Sequence, residues 1–309
     1  MGRAALAVYP DQRQEIIDFM SDFSLEATPH SAAKIADFRT HVRPGTTIYI
    51  TFLPGCDIED TIAVAKRLRR EGFNPVPHLA ARSIRDRRSF DRSLQRLRDE
   101  AAVSQVLLIG GGVAQPVGEF SDTMQLLETG LLDKYGIRKI GVAGHPEGSP
   151  DIPEEAIRQA LRWKNDFARR TDAEMYLVTQ FCFEEEPIVR WDKLIQAEGN
   201  VLPIHIGIPG LATVKTLLAH AKACGVGPSM RFITRQAMNV ARLLTVSAPD
   251  KLVAALASYQ ANDPRCGIKG VHMFPLGGLK KTADWSYAVV AGDFRLSPNG
   301  RGFWVDVPG

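Results

Sequence analysis

The chain has 309 residues, of which 45% are hydrophobic and 24% charged, so it can bury a large core and does not have the composition of a disordered protein. Its 38 basic and 35 acidic residues leave a net charge of +3, which does not indicate a nucleic-acid partner. No apolar run approaches the roughly 18 residues that a membrane span needs, and no charged and then apolar leader opens the chain. We therefore expect a cytoplasmic protein without a membrane partner.

Short apolar runs rich in β-branched residues alternate along the chain with longer segments of helical period. This alternation is typical of parallel strands joined by helical crossovers. Eight such runs are predicted to be strands, and they are centred on Leu25, Ile50, His78, Leu107, Val142, Val178, Ile206 and Met273.

Capping residues and apolar stripes predict the helices between the strands. Asp57 precedes a helix that Gly72 ends, as an N-cap and a C′ glycine do. A further helix before residue 22 is predicted to close the bottom of the fold. Two more helices, at 235 to 246 and 249 to 260, form an insertion before the last strand.

A basic run extends from residue 82 to residue 98. Ile84, Phe90, Leu94 and Leu97 give it an apolar stripe at helical spacing, so we interpret its charges as the solvated face of a helix. A phosphate-binding patch is the alternative interpretation.

The predicted fold is α/β: a single (β/α)8-barrel domain over residues 1 to 309, with the barrel itself at about 20 to 292. Even strand spacing favours the barrel over a doubly wound sheet, as does the lack of a GxGxxG motif after the first strand. The glycine cluster after the fourth strand is weak evidence for a dinucleotide site.

In a barrel the functional site lies at the carboxyl ends of the strands, so polar residues there are the candidates. Glu26 stands out because burying a carboxylate inside a strand is costly unless it is paired or used, although a structural salt bridge is an alternative. Gln180 could donate and accept hydrogen bonds at the edge of a heterocycle, or could be satisfied internally. The other candidates are Thr28, Thr51, His78, Arg82, Gly110 to Gln115, His145, Glu147, Ser149, and Lys280 or Lys281.

The remaining polar residues argue against several reaction types. His205 and His272 lie in the middle of predicted strands and are interpreted as core histidines, whereas His78 could contact a cofactor or a neighbouring strand. Histidines and carboxylates do not share one element at ligand spacing, so no metal site is expected. The four cysteines, Cys56, Cys182, Cys224 and Cys266, lie far apart and predict neither disulfides nor a zinc site. A GxSxG motif is also missing, which argues against a hydrolase.

Five motifs resemble the methylenetetrahydrofolate reductase family in order and spacing. They are SLEATP with Glu26, ITF with Thr51, PHLAAR with His78, the VAGHPEG turn, and TQFCFE with Gln180. The family typically has an SFEFFPP-type first strand, a PHLT third strand, a YPEGH turn after the fifth strand and a TQFFFD sixth strand. The similarity extends from about residue 22 to residue 292.

The resemblance implies reduction of 5,10-methylenetetrahydrofolate to 5-methyltetrahydrofolate with hydride from NADH or NADPH. Glu26 would be the general acid that protonates N10 of the folate, a role that demands a raised pKa. Gln180 would bind the pterin. Phe181 and Phe183 would pack on the substrate, with Lys280 as a further substrate-binding residue.

The resemblance also implies FAD. The cofactor-binding positions would be Thr51, His78, Gly110, Gly111, His145, Glu147 and Lys164. The departures from the family concentrate here, because Ile109-Gly110-Gly111 replaces an Arg-Gly-Asp turn. His145 replaces a tyrosine, and Ser149 stands where the motif normally ends in histidine.

Three functions therefore stay open at the level of sequence. The first is a reductase that keeps FAD with help from the backbone amides of residues 110 to 112. The second is a reductase that passes hydride directly from NAD(P)H to the folate. The third is a non-reductive folate-binding barrel that acts as a regulatory or methyl-transfer partner. The choice between NADH and NADPH and the formation of a homo-oligomer also stay open.

Overall fold

The computed structural model describes residues 10–223 and 246–306, and it is a (β/α)8 barrel. Eight parallel strands close on themselves in chain order, so that the first strand pairs with both the second and the last. All eight predicted strands and the predicted fold class are confirmed. The strands are β1 Ser24–Ala27, β2 Thr47–Ile50, β3 Asn74–Ala80, β4 Gln105–Ile109, β5 Lys139–Gly144, β6 Glu174–Phe181, β7 Ile204–Pro209 and β8 Ile268–Phe274.

Helices surround the barrel and pack their apolar faces on the outward-facing strand residues. They are α1 Pro10–Met20, α2 Pro29–Ala33, α3 Ile58–Arg70, α4 Arg87–Ala101, α5 Thr123–Glu128, α6 Leu131–Lys134, α7 Glu154–Ala168, α8 Glu185–Ala197, α9 Val214–Ala223, α10 Asp250–Asn262 and α11 Leu279–Ala291. Two short antiparallel strand pairs were not predicted. One joins Ala212–Thr213 to Val246–Ser247, and the other joins Arg295–Leu296 to Phe303–Trp304.

The capping predictions agree with the local geometry. The Asp57 carboxylate accepts a hydrogen bond from the backbone amide of Glu59 at the start of α3, and Gly72 after its end has φ +91°. The predicted N-terminal helix is α1, and the helix predicted at 249 to 260 is α10. Residues 235 to 245 of the other predicted helix lie outside the described residues, and Val246 belongs to a short strand.

The thiols of Cys56, Cys182 and Cys266 are free, and Cys224 lies outside the described residues. Within residues 10–223 and 246–306, no helix is long and apolar enough to cross a membrane. The same part of the chain has no cluster of histidine, cysteine and acidic residues suited to a metal ion.

The barrel interior combines apolar side chains with a hydrogen-bonded tyrosine pair. Tyr49 and Tyr176 are fully buried, and their hydroxyl oxygens are 2.7 Å apart. The Gln105 amide donates a second hydrogen bond, of 2.8 Å, to the Tyr176 hydroxyl. Val76 and Val178 fill the space around this pair. Both hydroxyl groups of this pair therefore have hydrogen-bond partners, which offsets the cost of removing them from water.

An irregularity in β6 fixes the position of Gln180. The pairing register between β6 and β7 shifts between Val178 and Phe181. At this shift the Thr179 hydroxyl accepts a 2.8 Å hydrogen bond from the Gly207 amide and donates one of 2.8 Å to the Gln180 carbonyl. A Cβ atom on Gly207 would lie 2.4 Å from that carbonyl oxygen. Residue 207 must therefore be glycine for β6 to keep this path.

Gly207→Ala is expected to destabilise the fold by about 1–3 kcal/mol, because the added methyl group meets backbone atoms that cannot rotate away. Gly110→Ala is the matched control, since a Cβ atom there meets nothing within 4 Å. Urea denaturation of both variants measures the difference. Equal stability of the two variants would contradict the close approach of β6 and β7.

Candidate functional site

Glu26 lies at the carboxyl end of β1, and its side chain is only 12% exposed. The Thr51 hydroxyl donates a short hydrogen bond to one carboxylate oxygen. The other oxygen, Oε2, is 3.0 Å from Nε2 of His272, whose side chain is fully buried. Both partners come from strands that flank β1, because Thr51 follows β2 and His272 lies in β8. The structure thus brings the predicted residues Glu26 and Thr51 into contact.

A serine continues this arrangement on the far side of His272. Nδ1 of His272 is 2.9 Å from the hydroxyl oxygen of Ser24, which is also buried. The Ser24 hydroxyl is within 3.4 Å of the Val271 carbonyl, to which it can donate. Ser24, His272 and Glu26 therefore form a continuous chain of hydrogen-bonding groups inside the barrel.

The environment of Glu26 holds its carboxyl in the ionised form. Burial raises the pKa of this carboxyl, but the hydrogen bond from His272, the charges of His78 and His272, and the hydrogen bond from Thr51 together bring it below its ordinary value. Burial lowers the pKa of His78 to about 4, so His78 is neutral near pH 7. The hydrogen bonds from His272 and Thr51 are therefore the main stabilising contacts. This direction is opposite to the raised pKa that the general-acid role implied by the resemblance demands.

His78 differs from the other interior polar residues because its ring nitrogens have no hydrogen-bond partner among the described residues. It is 5% exposed, its Nε2 atom is 3.9 Å from Oε2 of Glu26, and its ring meets Tyr49 edge-on. A neutral imidazole has one donor and one acceptor nitrogen. A buried polar group without a partner costs free energy, so His78 is a candidate ligand contact.

The predicted substrate residues on and after β6 divide between exposed and buried positions. Gln180 is exposed. It follows two residues after Val178, whose side chain faces the barrel interior. Phe181 is buried and packs edge-on against Phe183 and Phe274, with ring centroids 5.6 and 5.3 Å away. The amide is thus accessible beside an aromatic cluster.

The glycine turn after β4 packs closely over its neighbours. Gly111 has φ +95°, and a Cβ atom there would lie 3.1 Å from Cβ of Ala80. The amide of Arg82 donates a 3.0 Å hydrogen bond to the Gly110 carbonyl. The Arg82 guanidinium donates to the Ser121 carbonyl at 3.0 Å, so it is engaged in holding the loop. The turn contributes backbone groups and no charged side chain.

His145 follows β5 and lies near Lys164 of α7. Burial lowers the pKa of His145 to about 4 and that of Lys164 to about 8. The Lys164 amine is 7% exposed and donates a 3.2 Å hydrogen bond to the Ala143 carbonyl. Glu147 is half-buried in the turn between them.

Lys280 is exposed in the first turn of α11, after β8. Its amine pairs with the Asp284 carboxylate at 2.7 Å, one helical turn away. Such an exposed pair contributes little to stability and can exchange partners readily.

Sequence reasoning missed the roles of Ser24 and His272. The interpretation of His272 as a core histidine was incomplete, because this buried ring also contacts Glu26. One available signal was the spacing of Ser24 and Glu26, which places both side chains on the same face of β1. His205, by comparison, is half-buried and packs on the ring of Tyr176 at 4.5 Å.

The fold and the site together define a (β/α)8-barrel protein with a buried carboxylate–histidine pair at the carboxyl ends of its strands. No family model matches the chain. Methylenetetrahydrofolate reductase 2 of Saccharomyces cerevisiae is 27% identical over 107 residues, which are 34% of this chain and 17% of the yeast protein. Methylenetetrahydrofolate reductase 1 of Schizosaccharomyces pombe is 29% identical over 114 residues, 37% of this chain and 18% of that protein.

These matches span less than a fifth of the length of the two yeast relatives. One solved structure, an uncharacterized protein from Clostridium thermocellum that binds two copies of 5-methyl-5,6,7,8-tetrahydrofolic acid, has a TM-score of 0.54 and 12% identity. It covers 90% of this chain and 97% of its own, and at this identity it shows a shared fold. The comparisons support the resemblance to the methylenetetrahydrofolate reductase family that the motifs indicate.

His272→Ala is expected to raise the pKa of Glu26 above its ordinary value, because burial remains while the main lowering contact is lost. Infrared difference titration of the carboxyl band, with Glu26→Gln as the blank, measures this change. His205→Ala is the control, since it removes another interior histidine that packs on Tyr176. A Glu26 pKa that stays low in His272→Ala would show that Thr51 alone sets it.

Proposed function

We propose that this chain binds a reduced folate at the carboxyl ends of the barrel strands and reduces 5,10-methylenetetrahydrofolate to 5-methyltetrahydrofolate with NAD(P)H. The observation that carries the proposal is the buried Glu26 carboxyl, hydrogen-bonded to Thr51 and His272. The similarity to two methylenetetrahydrofolate reductases supports the reaction, and the folate ligand of the Clostridium protein supports the substrate class.

The reaction consumes one proton and one hydride. Protonation of N10 breaks its bond to the bridging methylene carbon and leaves an iminium at N5. A hydride from NAD(P)H then adds to the methylene carbon, which gives 5-methyltetrahydrofolate and NAD(P)+. The protein therefore has to supply a proton at a buried position while keeping water away from the iminium.

Proton supply follows from the chain of Ser24, His272 and Glu26. Nε2 of His272 lies 3.0 Å from Oε2 of Glu26, and Nδ1 lies 2.9 Å from the Ser24 hydroxyl oxygen, so each ring nitrogen has a partner with which it can share a proton. Moving the proton from Nε2 to the carboxylate leaves every other hydrogen bond unchanged, because Ser24 still accepts from Nδ1 and can still donate to the Val271 carbonyl. Glu26 is then the acid at N10, recharged by His272.

Glu26 needs a raised pKa only while the folate is bound. A folate over the strand ends would shield the 12% of the Glu26 side chain that is exposed and remove its remaining contact with water. Desolvation favours the neutral carboxylic acid. Substrate binding would thus favour the protonated Glu26 carboxyl at the step that requires it.

Folate binding would use the polar and aromatic groups around this centre. The exposed amide of Gln180 can meet the donor and acceptor edge of the pterin, beside the aromatic cluster of Phe181 and Phe183. Lys280, at the start of α11, supplies a cation for the glutamate carboxylates of a folate.

The residues at the positions that the resemblance assigns to FAD do not fit a flavin well. The turn at Ile109, Gly110 and Gly111 has no charged side chain, and a side chain at Gly111 would be strained at φ +95° and crowded by Ala80. Thr51 is engaged with Glu26, and the Lys164 amine with the Ala143 carbonyl. We therefore assign the hydride directly to NAD(P)H and derive no step through a flavin.

The test is the absorption spectrum of the purified protein, recorded before and after NAD(P)H and then methylenetetrahydrofolate are added. The expected result is a spectrum without flavin bands and NAD(P)H consumption that starts only when the folate is added. Flavin bands that NAD(P)H bleaches and the folate restores would overturn direct transfer but keep the reductase. Folate binding without NAD(P)H consumption would overturn the reductase.

One observation favours a second function, a folate-binding barrel without reductase activity. Because its pKa is lowered, Glu26 would be an ionised carboxylate beside a bound folate, and it would accept hydrogen bonds from the folate without protonating it. Folate binding without NAD(P)H consumption in the absorption experiment would identify this function.

Glu26→Gln is expected to lower turnover by about 10²-fold or more while folate affinity changes only a few-fold, because the amide keeps the shape but cannot donate a proton at N10. Steady-state kinetics and equilibrium folate binding measure the two effects. Glu186→Gln on the exposed face of α8 is the matched control and should match the unmodified protein. Turnover retained by Glu26→Gln would remove Glu26 from the reaction.

A further inference from the structure

A cavity of about 440 Å³ lies outside the substrate positions assigned above, between the loops that follow β2 and β3. Its outer wall includes Cys56 and Asp57 at the start of α3, and Ser89 and Arg92 on α4. Its inner wall includes His78. The volume is within the range of about 300–1,000 Å³ that is typical of small-molecule sites.

Two arginines of the basic run line this cavity. Arg85 precedes α4, and Arg92 lies in its second turn, and both are exposed. Phe90, Leu94 and Leu97 form the buried stripe of the same segment, as predicted. Arg85 and Arg92 lie close enough to Asp86 to lower the pKa of its carboxyl, after the larger effect of hydrogen bonds from Ser89. Within residues 10–223 and 246–306 neither guanidinium takes part in a salt bridge, so both can bind an anion.

The acidic residues in the cavity wall and next to it, Asp57 and Asp86, each cap a helix. Asp57 caps α3 by accepting a 3.1 Å hydrogen bond from the Glu59 amide. Asp86 caps α4 in a reciprocal arrangement with Ser89. Both helices start at the cavity, so their dipoles add positive potential to that of the two guanidinium groups.

The inner wall adds an independent observation. His78 is 5% exposed, its two ring nitrogens have no hydrogen-bond partner among the described residues, and it lies 3.9 Å from Glu26. Its neutral ring offers one donor and one acceptor nitrogen, which matches the carboxamide of a nicotinamide. The cavity therefore has arginines in its outer wall and His78 in its inner wall, and His78 separates the cavity from the Glu26 carboxyl.

We propose that this cavity binds the phosphate groups of a nucleotide hydride donor at Arg85 and Arg92, with the redox ring of the nucleotide directed towards His78. The inference rests on the proposed function, because it names the site of the co-substrate for the same reaction. The nucleotide enters between α3 and α4, and the folate covers the strand ends from the side of β6. Hydride donor and acceptor thus approach Glu26 from different sides.

The experiment compares Arg85→Ala/Arg92→Ala with Arg98→Ala, a control in the exposed last turn of α4 outside the cavity. Dissociation constants for NADPH, NADH and FAD are measured by calorimetry, with inorganic pyrophosphate as competitor. The tetrahydrofolate dissociation constant and the melting temperature are measured on the same samples. The expected result is about a tenfold weaker nucleotide affinity for each arginine removed, which corresponds to about 1.4 kcal/mol each. Pyrophosphate competition should be lost, and folate affinity should be unchanged.

The three nucleotides distinguish the sources of the phosphate. A change confined to NADPH or NADH supports direct transfer, whereas a change confined to FAD supports the cavity but identifies a flavin as the donor. Unchanged nucleotide affinity in a double variant that still reduces folate would overturn the cavity assignment and leave the proposed function standing. An unmodified protein that binds folate but none of the three nucleotides would overturn both.

Discussion

A carboxylate inside a barrel must have hydrogen-bond donors at both oxygens, because burying an ionised group without them costs several kcal/mol. Glu26 meets this constraint with donors from the two strands beside its own, Thr51 after β2 and His272 in β8. The closed order of the strands is therefore a condition for the site. An open sheet with β1 at its edge would supply a donor on one side only.

Below Glu26, a second hydrogen-bonded group packs against His272 inside the barrel. The His272 ring packs on Tyr49 with centroids 4.4 Å apart, and the Tyr49 hydroxyl contacts Tyr176, which also accepts from Gln105. A buried polar network whose members all have partners resists rearrangement. His78 packs on Tyr49 outside this network and has no hydrogen-bond partner among the described residues, so it can respond to a bound molecule within this rigid setting.

The sequence predicted the strands and the general location of the site because both depend on local pattern. Apolar runs and helix caps can be read from neighbouring residues. Residues at the ends of adjacent strands converge in any barrel, so Glu26 and Thr51 could be expected near each other, and they are in contact. The role of His272 could not be predicted in this way, because its contact with Glu26 depends on register across the closing strands. The direction of the Glu26 pKa depends on that same contact. The path of β6 at Gln180 depends on a close approach to Gly207 that has no sequence pattern of its own.

The pairing of β1 with β8 has a consequence for how the protein acquires its chemistry during synthesis. Ser24 and His272 are register partners across this junction and lie 248 positions apart in the chain. Contacts of such long sequence separation form late in folding, because a large loop must close first. A nascent chain that ends before β8 contains Glu26 but lacks its histidine. The carboxylate–histidine pair can therefore form only after β8 has left the ribosome.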